Sequence, residues 1–171
     1  MRAPAPTITT ILVACLATFA LSACAPPAPE PSPTPTGFAS EEEAFAAAEE
    51  TYRAYVDAAN AAREEEADFD ASGYLTGQAL IDEEAAADSL EASGRLLKGP
   101  TRINSFEGDW WGPREVSAYA CLNLESVKVL DSSGEDVTPP DRATEGLFEV
   151  RFRTDASGTR VIQSTLWRER C

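Results

Sequence analysis

Histidine is absent from this chain of 171 residues. Its absence removes the side chain that most often acts as an acid or base near neutral pH and most often ligates metals. Ser-His-Asp catalysis, Cys-His catalysis and His-ligated zinc sites are therefore excluded. The sequence also has neither a glycine-rich phosphate loop nor a set of metal ligands at a recognised spacing. We expect a protein that is not an enzyme and that needs no cofactor.

Positive charge is scarce, because 14 Lys and Arg residues stand against 29 Asp and Glu residues, for a net charge of −15. The acidic excess lies in residues 30–91, which hold 17 acidic residues and only Arg53 and Arg63 as bases. Residues 92–171 are nearly balanced, with 12 acidic and 11 basic residues. A surface of this sign repels nucleic acid and anionic lipid, so we exclude nucleic-acid binding.

No apolar run is long enough to span a bilayer. The stretch Ile8–Leu21 has 14 residues, whereas a transmembrane helix needs about 20. Arg2 precedes the run and small residues follow it, which is the pattern of a secretory signal peptide. We predict a signal peptide over residues 1–23.

The run ends in Leu21-Ser22-Ala23-Cys24, which resembles the lipobox of bacterial lipoproteins: an aliphatic residue, two small residues and a cysteine. The resemblance implies a diacylglycerol thioether on Cys24, cleavage between Ala23 and Cys24, and N-acylation by a fatty acid such as palmitate. Two acyl chains hold a protein stably on a membrane, where one chain is marginal. Ordinary signal cleavage at the same place and an uncleaved anchor remain alternatives. The expected location is the outer face of the cell membrane, and the preference for Arg over Lys is typical of a high-GC Gram-positive bacterium.

The segment after Cys24 is rich in proline, with six prolines between Ala25 and Phe38. Such a segment favours the extended polyproline II conformation and resists folding. At about 3.1 Å per residue, roughly 13 residues reach roughly 40 Å. We predict a linker over residues 24–39 that holds a domain, residues 40–171, away from the lipid surface.

Two helices are predicted at the start of this domain. Ser40 can cap the first helix while Glu43 reaches back, and acidic residues suit the positive end of the helix dipole. Apolar residues follow at helical spacing on one face, at Phe45, Ala48, Tyr52, Tyr55, Val56, Ala59 and Ala62. A second helical pattern covers about residues 78–93, and Asp82-Glu83-Glu84 is predicted to face solvent.

The pattern changes to strands after residue 95. We predict a weak strand in TRINSFEG, a turn at GDWWGP, a long strand over residues 115–130 with a bulge near Glu125, and two further strands in LFEVRFR and TRVIQSTLWRERC. In LFEVRFR the apolar residues face one side and the charged residues face the other. Helices followed by strands indicate an α+β fold, with the helices packed on a curved antiparallel sheet of about four strands.

This order of elements resembles the nuclear-transport-factor-2-like family, in which a long N-terminal helix, shorter helices and a curved sheet form a cone. Cystatin-like and other helix-on-sheet arrangements remain alternatives. Some members of the family isomerise ketosteroid-like substrates with Asp and Tyr side chains inside the cone. The resemblance therefore implies that Tyr52, Tyr55 and Tyr119 are candidates to line such a cavity.

Four cysteines have separate expected roles. Cys15 leaves with the signal peptide and Cys24 takes the lipid, so Cys121 and Cys171 remain. An even pair outside the cytoplasm predicts a disulfide. A redox-active pair is the alternative, but the two residues lack C-x-x-C spacing and a neighbouring histidine.

Residues 68–76 match the first nine positions of a calcium loop, with oxygen ligands at Asp68, Asp70 and Ser72. The twelfth position needs a carboxylate, and Ala79 stands there. We therefore favour an Asx turn that leads into a helix.

Trp110 and Trp111 are adjacent and precede Gly112-Pro113. Because neighbouring residues of a strand point to opposite faces, one tryptophan is predicted in the core. The other is a candidate platform for a sugar or peptide. Trp167 is predicted to lie in the core of the sheet.

Together these patterns predict a membrane-anchored extracytoplasmic lipoprotein with a non-catalytic binding or interaction domain, whose cell-envelope partner the sequence does not identify. Two alternatives stay open: a cone-shaped module that captures a ligand, and a cone-type isomerase with a buried Asp beside a Tyr. A deep apolar cavity with a few polar groups would favour ligand capture, whereas a filled core would oppose it.

Overall fold

The structure, a computed structural model, describes residues 37–171. The predicted signal peptide and residues 24–36 of the predicted linker lie outside the described residues. The elements in chain order are α1 (Glu41–Glu65), a 3-10 turn (Ala71–Gly73), α2 (Gly77–Ala92), β1 (Leu96–Lys98), β2 (Arg102–Trp111), β3 (Glu115–Asn123), β4 (Lys128–Leu130), β5 (Glu145–Asp155) and β6 (Gly158–Arg168). No helix among these residues is long and apolar enough to cross a membrane.

The strands form a four-stranded antiparallel sheet in the order β2-β3-β5-β6, and β1 pairs with β4 in a separate two-stranded sheet. Helix α1 packs on one face of the larger sheet, where it contacts β2, β3 and β6. We call this the inner face. The predicted α+β fold is confirmed.

Helix α1 begins where the sequence predicts, at a capping box. The Ser40 side chain accepts a hydrogen bond from the Glu43 N–H at 3.2 Å, and the Glu43 carboxylate accepts one from the Ala39 N–H at 2.8 Å. The first bond satisfies a backbone donor that a helix start leaves without a partner, and the second holds the residue before the N-cap against the first turn. The helix is capped at its C-terminal end by Glu66, which adopts a left-handed conformation and donates its N–H to the Ala62 carbonyl.

The core lies between α1 and the inner face of the sheet. The helix buries a stripe of mainly small residues, Ala44, Ala48, Tyr52, Val56 and Ala59. The sheet opposes it with alternate residues of its central strands, which are almost fully buried: Val116, Ala118, Ala120, Val150 and Phe152. Strand β5 alternates as predicted, because Val150 and Phe152 are buried while Arg151 and Arg153 are exposed.

Gly108 in β2 makes room for the ring of Phe45 on α1. A Cβ atom on residue 108 would lie 2.5 Å from the Phe45 ring, well inside contact distance. We expect Gly108→Ala to lower the free energy of unfolding by about 2 kcal/mol through overpacking, measured by urea denaturation. Gly73→Ala is the matched control, because its Cβ would meet no atom within 4 Å. An equal, small effect of both variants would contradict this packing.

Helix α2 is anchored mainly at its N-terminal end. The Thr76 N–H donates to the Val161 carbonyl at 2.8 Å, and the Val161 N–H donates to the Tyr74 carbonyl at 2.9 Å. This parallel bridge joins the segment before α2 to the edge strand β6. Only Ala79 of α2 is buried, and Ile81 is 58% exposed. The rest of α2 therefore lies largely at the surface.

Two predicted elements differ in the structure. The single bulged strand over residues 115–130 was wrong, because the chain leaves the large sheet after Asn123, turns at 125–126, and enters β4 of the small sheet. The Glu125 N–H donates to the Asn123 side chain at 3.0 Å, which starts the turn. The predicted turn at GDWWGP was also wrong over its first four residues, because β2 continues to Trp111. The irregularity there is a register shift between Gly108 and Trp110.

Cys121 and Cys171 form a disulfide in the structure, with Cα atoms 5.7 Å apart, as the sequence predicts. Cys121 pairs across strands with Ser105 and Leu147 on the face of the sheet away from α1, which we call the outer face. The bond thus ties the C-terminal residue to the centre of the sheet.

Candidate functional site

A cavity of about 290 Å³ lies between α1, the start of α2 and the inner face of the sheet. Its walls are mostly apolar side chains from both layers, including Val56, Ala59, Leu75, Leu122, Phe148 and Val161. Most of these residues are buried, and the cavity opens to solvent at the side where its charged residues lie. It is therefore a partly open pocket at the edge of the core between helix and sheet.

The polar groups of the cavity come chiefly from the two helices. The Tyr55 hydroxyl donates to the Glu83 carboxylate at 2.9 Å, across the gap between α1 and α2. Arg63 donates to the Asn60 side chain at 3.1 Å and to the Thr101 hydroxyl at 3.0 Å. Asp82 accepts from the Gln78 side chain at 2.8 Å and is exposed. These charged groups mark the end of the cavity that faces solvent.

Two tyrosines of the cavity hold their protons firmly. Burial raises the pKa of Tyr52 to about 12, a hydrogen bond with Ser164 lowers it in part, and the charge of Glu83 raises it further. Burial also raises the pKa of Tyr55, and the nearby charge of Glu83 and the hydrogen bond with it add to this effect. Both hydroxyls are therefore neutral hydrogen-bonding groups at physiological pH.

The three tyrosines that the family resemblance implied as cavity residues lie on opposite sides of the sheet. Tyr52 and Tyr55 line the cavity as expected, but Tyr119 does not. Tyr119 follows Ala118 and precedes Ala120 in β3, and both alanines are buried on the inner face. Strand alternation therefore directs Tyr119 to the outer face, and its predicted place in the cavity was wrong.

A second hollow, of about 430 Å³, lies on the outer face beside the disulfide. Tyr119 and Trp167 form one side of it, with ring centroids 6.1 Å apart in an edge-to-face contact. Trp167 is 58% exposed, so its predicted place in the core of the sheet was wrong. Although this hollow is larger, its lining is more polar than that of the inner cavity. The inner cavity is the better ligand site, because most of its apolar walls are already withdrawn from water.

Trp110 and Trp111 point to opposite faces, as adjacent strand residues do. Trp111 packs against the core, whereas Trp110 is 54% exposed. The indole of Trp110 also lies over Gly112, where an added Cβ would approach the ring to 3.0 Å. The pair therefore does not form one binding platform, although Trp110 alone remains accessible.

The residues of the candidate calcium loop stabilise a local turn. The Asp70 carboxylate accepts a hydrogen bond from the Ser72 N–H at 2.9 Å and caps the 3-10 turn. This is the Asx turn favoured by the sequence. Between residues 37 and 171, no three His, Cys, Asp or Glu side chains are grouped so that they could hold a metal ion. Asp68, Asp70 and Ser72 thus give no support to a cation site.

Sequence reasoning missed Glu83, Arg63 and Ser164 as cavity residues. Glu83 was predicted to face solvent with its acidic neighbours, but it turns toward Tyr55. The two residues are 28 positions apart, so no local pattern pairs them. The available signal was that Glu83 lies one helical turn after Ala79, the only buried residue of α2.

No family model matches this sequence, and no curated protein matches it. Among solved structures, the chain is similar to the intermembrane space region of the chloroplast protein ARC6, with a TM-score of 0.49 and 13% sequence identity. The alignment covers 71% of this chain and 95% of that chain.

Proposed function

We propose that the domain is a non-catalytic binding module that holds a small, largely apolar ligand in the cavity between α1 and the sheet. A lipid on Cys24 and the proline-rich linker would present this module at the outer face of the cell membrane. The observation that carries the proposal is the cavity itself, about 290 Å³ in volume and walled mainly by buried apolar side chains.

The cavity is a place where the close packing of helix against sheet is interrupted. Apolar side chains beside such a space have fewer packing contacts than those in the filled part of the core. A ligand that filled the space would restore those contacts and bury its own apolar surface, worth about 25 cal/mol per Å². The volume is near the lower end of the roughly 300–1,000 Å³ that small-molecule sites occupy. The few polar groups at one end would orient the ligand.

Filling the cavity from α1 tests the proposal. Ala59 is buried and lines the cavity, so the larger side chain of Ala59→Phe should occupy the space. We expect this variant to bind the neutral probe 1-naphthalenemethanol at least about tenfold more weakly than the wild type, equivalent to 1.4 kcal/mol. Ala61→Phe is the matched control, because Ala61 is exposed on the same helix. The measurement is isothermal titration calorimetry on variants whose folding circular dichroism has verified. Equal probe affinity in both variants, or no binding by the wild type, would contradict the proposal.

The anchoring part of the proposal has a separate test. Cys24→Ala removes the only thiol of the lipobox, so we expect the protein to lose incorporation of labelled palmitate and to leave the lipidated membrane fraction. Cys15→Ala is the control, because that cysteine lies within the predicted signal peptide and is not expected to carry lipid. A Cys24→Ala protein that remained lipid-labelled and membrane-bound would refute the assignment.

One observation supports the isomerase alternative: the Glu83 carboxylate lies beside the Tyr55 hydroxyl in the cavity. Binding is favoured over catalysis because the Tyr55 proton already occupies one oxygen of that carboxylate, and because Tyr119 lies outside the cavity. Turnover of a 3-oxo-Δ5-steroid by the wild type, abolished by Glu83→Gln, would reverse this preference.

A further inference from the structure

Glu83 is a half-buried carboxylate at the end of the cavity, and no basic side chain among residues 37–171 forms an ion pair with it. One oxygen accepts the Tyr55 hydroxyl at 2.9 Å. Among residues 37–171, no donor is bonded to its other oxygen, and the ion pairs of this region include neither Glu83 nor Asp82. A carboxylate has about four acceptor sites, so Glu83 retains capacity for a further donor.

Tyr55 fixes this carboxylate in place. Its ring packs at 6.0 Å from Tyr52, at 5.9 Å from Phe69 and at 6.4 Å from Tyr74, measured between centroids. Its hydroxyl therefore comes from a side chain with little freedom to move. Because burial and the Glu83 charge raise the pKa of Tyr55, the hydroxyl keeps its proton and remains a donor to Glu83. Glu83 is thus a pre-oriented acceptor at the end of the cavity.

The surrounding charges favour a cation over an anion at this end. The cavity lining has two acidic residues, Asp82 and Glu83, and one basic residue, Arg63. Arg63 already donates to two neutral oxygens, on Asn60 and Thr101, which hold it against α1 and the start of β2. The sequence of α2 holds five acidic residues and no basic one. The local field is therefore negative, and aromatic rings at the same place add attraction for a cation.

We propose that the ligand of the cavity is an amphipathic amine, whose apolar body fills the space between α1 and the sheet and whose single cationic nitrogen donates to Glu83. This inference rests on the proposed binding function and specifies its ligand class. Glu83 supplies charge, Tyr55 orients Glu83, and the buried walls select an apolar body of limited volume.

Three probes with one naphthalene body and different head groups test the inference: 1-naphthylmethylamine, 1-naphthalenemethanol and 1-naphthoate. The full lipoprotein is titrated in phosphatidylcholine nanodiscs at pH 7, with empty nanodiscs as the blank. We expect the amine to bind at least about tenfold more tightly than the alcohol, equivalent to 1.4 kcal/mol, and the carboxylate to bind most weakly. Added salt should reduce the difference in affinity between the amine and the alcohol, because it screens the charge of Glu83 at the solvent-facing end of the cavity.

Glu83→Gln is the decisive variant, because glutamine keeps the size and an acceptor for Tyr55 but removes the charge. It should bring the affinities of the amine and the alcohol to within about twofold of each other while leaving the alcohol's affinity unchanged. Glu84→Gln is the matched control on the exposed surface of α2 and should preserve the preference for the amine. Equal affinity of amine and alcohol for the wild type, or a preference that survives Glu83→Gln, would overturn the amine inference and leave the binding function intact. Failure of all three probes to bind would overturn both.

Discussion

Phe152→Ala is expected to lower the free energy of unfolding by about 3–5 kcal/mol, which is the usual cost of truncating a buried aromatic residue. Phe152 is fully buried in β5 and is the largest side chain of the core with no exposed surface. Its ring contacts Tyr52 of α1 and Phe106 of β2, with centroids 6.2 Å and 6.1 Å away. Alanine would lose these contacts and would enlarge a core that already contains a cavity.

Urea denaturation followed by far-ultraviolet circular dichroism measures this loss. Trp167→Ala is the control, because it removes a larger ring that is 58% exposed on the outer face and should cost less than about 1 kcal/mol. If the two substitutions proved equally mild, Phe152 would not hold the helix to the sheet.

Removal of the Cys121–Cys171 bond is the second change with a large expected effect. The bond closes a loop of 50 residues, and the chain-entropy model gives a stabilisation of about 4 kcal/mol for that length. For a domain of this size, such a loss corresponds to a fall in Tm of roughly 10–20 °C. Cys171→Ser is the variant to make, because Cys171 is exposed whereas Cys121 is buried.

Differential scanning calorimetry with and without reductant supplies the control. Dithiothreitol should lower the Tm of the wild type to that of Cys171→Ser and should leave the variant unchanged. A variant that melted at the wild-type temperature would show that the bond adds nothing to stability.

The larger elements of the fold follow from local sequence patterns. The capping box at Ser40 and Glu43, the small apolar stripe of α1 and the alternation of β5 each predict one outcome, and the structure has it. The errors fall where two patterns overlap. Residues 115–130 contain enough apolar residues for one strand. Strand β3 nevertheless ends at a turn in which the Glu125 N–H donates to the Asn123 side chain and the Arg142 guanidinium donates to two carbonyls of the turn, so part of the signal is distant in the sequence.

The candidate site was only half visible in the sequence. Tyr52 and Tyr55 were found because they lie on the apolar face of α1, but the same pattern is typical of a filled core. Tyr119 was misplaced because its orientation depends on the alternation of β3 rather than on its residue type. Glu83 was missed because its partner, Tyr55, is on another helix. A cavity is a property of how the two layers meet, so it has no local signature.

The most direct test of ligand binding in the cavity is a methyl NMR titration of the mature Cys24→Ala chain with 1-naphthalenemethanol. Saturable shifts are expected for the methyl groups of Ala59, Leu75 and Val161, which line the cavity, and not for Leu147 on the outer face. Shifts confined to Leu147 and its neighbours, or no saturable shift at all, would contradict binding between α1 and the sheet.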